Sequence, residues 1–73
     1  MARIISESCW VIKVTYLKTG EVNFNEAYRE YNRCMLAIKD KLKGKAFTMI
    51  NDFIYKDIDN EIVYEAKCVD LYE

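Results

Sequence analysis

The stretch Cys9-Trp10-Val11-Ile12-Lys13-Val14-Thr15-Tyr16-Leu17 decides the fold. Its even positions, Trp10, Ile12, Val14 and Tyr16, are all apolar, while the odd positions mix Cys9, Val11 and Leu17 with Lys13 and Thr15. Period two with one clean face, in β-branched and aromatic residues, predicts a strand whose even positions turn inward. The following Lys18-Thr19-Gly20 marks a turn, and side-chain parity selects its length. A two-residue loop at Thr19-Gly20 would set Leu17 opposite Val22 and mix the two faces. A three-residue loop sets Tyr16 opposite Val22 and Val14 opposite Phe24, which keeps apolar pairs together and asks Gly20 for a left-handed backbone.

Downstream the period changes. Between Glu26 and Lys43 the apolar residues Tyr28, Tyr31, Met35, Ile38 and Leu42 advance by three and four, which predicts an amphipathic helix. Asn23 or Asn25 is placed to cap it, and Glu26 stands three residues after Asn23 at capping-box spacing. Gly44 suits a left-handed C-terminal residue, and Lys39, Lys41 and Lys43 suit the negative end of the helix dipole. Beyond it, two strands are expected, Ala46 to Lys56 and Glu61 to Leu71, joined at Asp59-Asn60. That register sets Tyr55 opposite Tyr64, Phe53 opposite Ala66 and Asn51 opposite Cys68. Phe47, Met49, Phe53, Tyr55, Ile62, Tyr64, Ala66 and Cys68 then share the inward face. The expectation is an α+β domain of order ββαββ over residues 1–73, a four-stranded antiparallel sheet with one helix packed on one face.

Composition agrees with a single small domain. A chain of 73 residues buries only about 60% of its unfolded surface, so the core is thin. With 52% hydrophobic and 32% charged residues it is not of disordered composition. Three cysteines cannot pair completely, which points to free thiols in a reducing, cytoplasmic setting. No apolar run approaches the roughly 18 residues of a membrane span, and no basic-then-apolar leader is present. Residues favoured by AT-rich codons (Phe, Tyr, Met, Ile, Asn, Lys) number 33 against 10 for Gly, Ala, Arg and Pro, a bias that implies a low-GC genome.

The side-chain inventory is poor in chemistry. There is no histidine, and the only serines, Ser6 and Ser8, lack an evident base. Cys34 and Cys68 are expected to be small buried hydrophobes, while Cys9 lies on the mixed face. No cysteine spacing suits zinc. Two glycines, Gly20 and Gly44, cannot build a phosphate-cradling loop. The run Asp57-Ile58-Asp59-Asn60-Glu61 has the acidic opening of a calcium loop, but Ile62 stands where glycine is required and Cys68 where a bidentate Glu is required. No enzyme activity, cofactor or metal is expected.

Surface remains. The net charge of -1 resolves into +4 over residues 1–45 and -5 over residues 46–73. The acidic hairpin Asp57, Asp59, Glu61 and Glu65 is a candidate for meeting a basic protein surface. The sheet face away from the helix would hold Val11, Leu17, Ile50, Ile54, Val63, Val69 and Leu71 among Lys13, Thr15, Asp52, Lys56, Glu65 and Lys67. That is too apolar for a face meeting only water, so a partner or a second copy is expected there, unless Ala2 to Ser8 folds over it. In size, composition and bare architecture the chain is similar to the small accessory or inhibitor proteins that phages and mobile elements encode. The resemblance implies occlusion of a host enzyme, through the acidic hairpin and through Val11, Ile54, Val63, Val69 and Leu71. Two alternatives stand beside this protein-binding expectation. One is a self-associating assembly module, a homodimer or larger. The other is a nucleic-acid binder using Arg29, Arg33, Lys39 and Lys43, disfavoured by the acidic balance and by lysines that already suit a helix C-terminus.

Overall fold

The computed structural model describes the backbone of residues 4–72 and the side chains of residues 9–69. In chain order the elements are β1 (Ile4–Tyr16), β2 (Glu21–Tyr28), α1 (Tyr31–Lys41), β3 (Phe47–Asn51), β4 (Ile54–Asp57) and β5 (Ile62–Tyr72). All strand pairs are antiparallel, in the order β2-β1-β5-β4-β3, and α1 lies across β1, β5 and β2. The α+β class is as expected, but the sheet has five strands instead of four.

The extra strand arises within Ala46 to Lys56, where the sequence pattern predicts one straight run. Asn51 Oδ1 accepts the Phe53 N–H at 2.8 Å, a side-chain turn that reverses the chain at Asp52-Phe53. Ile50 is squeezed out of register just before it, as β3 pairs Met49 with Tyr55 and then Asn51 with Ile54. The second hairpin keeps its expected register, with Tyr55 opposite Tyr64 and Asp57 opposite Ile62. Even Phe53 keeps contact, its carbonyl accepting the Ala66 N–H at 2.9 Å. Asn51 does not reach Cys68, because β3 has turned away from β5.

The first hairpin departs further. Tyr16 pairs with Glu21, so the loop is Leu17–Gly20, one residue longer than parity suggests. Gly20 does take the left-handed backbone, at φ 77°. The longer loop sets Val22 opposite Thr15 and Phe24 opposite Lys13, on the face away from α1. A bulge between Val11 and Ile12 restores Tyr28 to the helix side, opposite Trp10. Residues Glu26 to Tyr28 therefore finish a strand and do not begin the helix. Helix α1 starts at Tyr31 after Glu30, which makes no side-chain cap, so neither Asn23 nor Asn25 plays that part.

Three turns of helix with no N-terminal side-chain cap are marginal alone. Packing holds α1 in place: Cys34, Met35, Ile38 and Leu42 are buried against Ile12, Val14, Tyr55, Tyr64 and Ala66. Its two ends are tied to the sheet. Tyr31 donates its hydroxyl to the Asp52 carbonyl at 2.8 Å, and Lys41 meets the Glu26 carboxylate at 3.0 Å, which also accepts the Tyr28 hydroxyl. Gly44, at φ 77°, ends the helical segment as expected.

Two substitutions check this account. Ile38 has no exposed surface, and Ile38→Ala should cost about 2–5 kcal/mol, close to unfolding so small a domain. Glu61 sits at φ 53°, where a side chain costs about 1–2 kcal/mol. After the entropy glycine adds to the unfolded chain, Glu61→Gly should still gain about 0.5–1 kcal/mol in urea denaturation, with no change in slope.

Candidate functional site

The sheet face without the helix is ordered by the strand registers into rows. One row runs Val22, Thr15, Val63, Lys56 and Thr48; the next runs Phe24, Lys13, Glu65 and Ile54. A third sets Ala27, Val11 and Lys67 side by side, and Val69 lies opposite Cys9 beyond it. No described element packs on this face. The backbone of residues 4–8 continues β1 and so does not fold back across it. Val11, Ile54, Val63 and Val69 are half-buried by their neighbours, whereas Val22 and Phe24 stand 43% and 61% exposed. In the middle, Lys13 and Glu65 face each other across β1 and β5, an opposite-charge pair flanked by Phe24 and Ile54. The register shift thus adds an aromatic and a valine that parity alone turns inward. Leu71 lies outside the residues whose side chains are described.

The acidic hairpin does not present one surface. Asp57 is completely buried on the helix side, between Phe47 and Ile62 in the register. Its carboxylate accepts the Asn60 backbone N–H at 3.2 Å and the Asn60 side-chain amide at 2.9 Å, with Lys45 3.8 Å away. These bonds hold the loop from Ile58 to Glu61, so the Asp57 carboxylate is engaged inside the hairpin and is not presented at the surface with Asp59 and Glu61. The Asn60 side-chain bond, more than any other cause, keeps the Asp57 carboxyl below its ordinary range against the opposing effect of burial. Asp59 and Glu61 are exposed at the loop, and Glu65 is half-buried on the helix-free face. The acidic residues therefore divide among three environments.

On the helix side a second surface appears, built from residues whose spacing assigns them to the core. Trp10, Tyr31 and Phe53 form an aromatic cluster with centroids 5.0–6.0 Å apart, Trp10 and Phe53 being nearly parallel at 6°. Beside it runs an open groove of about 570 Å³, walled by Tyr31, Met35 and Lys39 of α1 and floored by Met49, Phe53 and Tyr55. Phe47, Met49 and Phe53 point to the intended side but are 46%, 51% and 44% exposed, because α1 does not extend over β3. Cys68 is exposed although its spacing turns it inward, whereas Cys34 is buried as expected.

The basic residues are dispersed as well. Lys41 is engaged by Glu26 and Lys45 lies near Asp57, while Lys39 borders the groove and Arg33 lies 4.0 Å from Glu30. Among the described residues no group of three His, Cys, Asp or Glu side chains is placed to hold a metal ion. No described helix is long and apolar enough to cross a membrane. No protein-family model, curated protein or solved structure matches the chain, so its surface carries the functional reading.

Thiol reactivity separates exposed Cys68 from buried Cys34. Burial pushes the Cys34 thiol up from its ordinary pKa, so an aromatic disulfide reagent should label exposed Cys68 in the folded protein and Cys34 only on unfolding. Equal rates at the two thiols would contradict the placement. For Asp57, a folded pKa below the unfolded one gives stability that is present near neutrality and lost as pH falls through and below the usual carboxylate value of about 4. The melting-temperature difference between wild type and Asp57→Asn should therefore be largest near neutral pH and shrink on acidification below that value.

Proposed function

We propose that the chain is a non-enzymatic protein-binding module that docks through the helix-free face of its sheet. The observation that carries this reading is the combination, on one uncovered face, of Val11, Val22, Phe24, Ile54, Val63 and Val69 with a central Lys13–Glu65 pair. Aliphatic and aromatic anchors supply area to bury, and an embedded charge pair makes the match to one partner selective. Such a face is too apolar for water alone and too charged for a second permanent core layer. A side-chain inventory without histidine supports binding over catalysis.

The biological setting we propose is a small cytoplasmic accessory protein, of the kind phages and mobile elements encode, that occludes a working surface of a host protein. Asp59 and Glu61, on the exposed loop, would steer it toward a basic partner surface. Nucleic-acid binding through Arg29, Arg33, Lys39 and Lys43 finds less support, since Lys39 borders an apolar groove and Arg33 lies near Glu30.

Affinity capture from the native cytosol, with quantitative mass spectrometry, tests this reading. A protein captured by wild type should be lost, by tenfold or more, with Phe24→Glu and with Val63→Lys, and kept with Leu36→Glu on the outer side of α1. A tenfold loss corresponds to about 1.4 kcal/mol. Retention in both face variants would place binding elsewhere. Asp59→Lys combined with Glu61→Lys should slow association at low salt and matter little at high salt. Association that is equally fast at low salt removes the steering component.

A further inference from the structure

The strand β3, Phe47-Thr48-Met49-Ile50-Asn51, is an edge with no charge and no proline, and every residue of it is exposed. Sheet edges are commonly protected by charge, proline, a bulge or a cover, because their open backbone groups are a template for another strand. The opposite edge, β2, carries Glu21 and Glu26. In β3 only the far end is disturbed, at Ile50. One hydrogen bond tells which backbone groups are open. The Ile58 N–H donates to the Ala46 carbonyl at 3.0 Å, so Ala46 turns toward β4. Successive residues in an antiparallel ladder turn their N–H and C=O to opposite sides. Thr48 therefore turns inward with Ala46, and Phe47 and Met49 aim their N–H and C=O at the open edge.

We propose that a second copy of this chain pairs with this edge, β3 against β3, about a two-fold axis through Thr48. That register sets Phe47 of one copy opposite Met49 of the other, twice, so that each pair exchanges the open backbone hydrogen bonds. Phe47 and Met49 project from the same face, so the pairing also packs together two side chains that are 46% and 51% exposed in the single chain. An axis through Met49 would instead need Asn51, beyond the bulge at Ile50, to match Phe47. At the strand ends the charges complement one another: Lys45 of one copy falls beside Asn51 and Asp52 of the other. The axis stands normal to the sheet, which keeps both helices on one side of a continuous sheet. The groove beside Met49 then gains the second copy's Phe47 at its mouth. A short strand and two side chains bury less than the roughly 800 Å² per partner of a stable complex, so the dimer is reversible and concentration-dependent. It uses a different surface from the helix-free face and stands or falls separately from it.

Sedimentation equilibrium and site-directed cross-linking on the full chain test the geometry. Facing Thr48 residues form a non-hydrogen-bonded pair with Cα atoms about 4.5 Å apart, within disulfide reach. On mild oxidation Thr48→Cys should therefore yield a dimer bridged by a disulfide between the two substituted positions, identified by peptide mass mapping, while Thr15→Cys should not. Wild type should dimerise in the micromolar to millimolar range. Met49→Lys and Phe47→Glu should be monomers with unchanged circular dichroism, and Phe24→Glu and Val63→Lys should dimerise as wild type does. A wild-type chain still monomeric at millimolar concentration, a dimer that survives both edge substitutions, or cross-linking as efficient at position 15 as at 48 would overturn the proposal.

Discussion

One helix has to cover a sheet five strands wide. Strands lie about 4.8 Å apart, whereas a helix with its side chains is about 10–12 Å across, so α1 shields two or three strands and leaves the rest. It lies over β1, β5 and β2, where Ile12, Val14, Tyr64 and Ala66 meet Ile38 and Leu42. Tyr55 and Asp57 of β4 are still buried, but the helix-side residues of β3 keep inward-facing chemistry without an inside. The aromatic cluster, the open groove and the exposed Phe47 and Met49 all follow from this shortage of cover.

Where period decides structure, the amino-acid order is a sufficient guide. Of the residues expected inward, Ile12, Val14, Met35, Ile38, Leu42, Tyr55, Tyr64 and Ala66 are buried while Phe47, Met49, Phe53 and Cys68 are exposed, and both glycines take the left-handed backbone. What escapes is punctuation. Asn51 and Asp52 are turn residues in the middle of an expected strand, a signal that the favourable parity of Phe47, Met49, Phe53 and Tyr55 masks. The tract Glu26 to Tyr28 satisfies helix spacing, yet Tyr28 pairs with Trp10, and that pairing depends on a bulge between Val11 and Ile12 that no local pattern announces.

The candidate contact residues separate along the same line. Val11, Ile54, Val63 and Val69 stand together on the helix-free face because their alternation is regular and their strands are adjacent. The acidic residues have no such ordering principle, since sequence proximity in a hairpin says nothing about depth. Asp57 is taken inward by the bonds from Asn60, and Lys45 lies near it. An acidic run thus resolves into an internal loop clamp, an exposed tip at Asp59 and Glu61, and a cross-strand charge at Glu65.

The loop Leu17–Gly20 has a meaning beyond joining two strands. Its length sets the parity of β2, and parity determines which side of the sheet receives Val22 and Phe24. One residue fewer would turn those two inward and send Asn23 and Asn25 to the back, leaving Val11, Ile54, Val63 and Val69 there with a more polar neighbour strand. The stickiness of that side is therefore encoded in the spacing of four solvated residues as much as in any side chain on it. A single-codon insertion or deletion there is a one-step route by which this scaffold enlarges or reduces an adhesive surface without substituting a core residue.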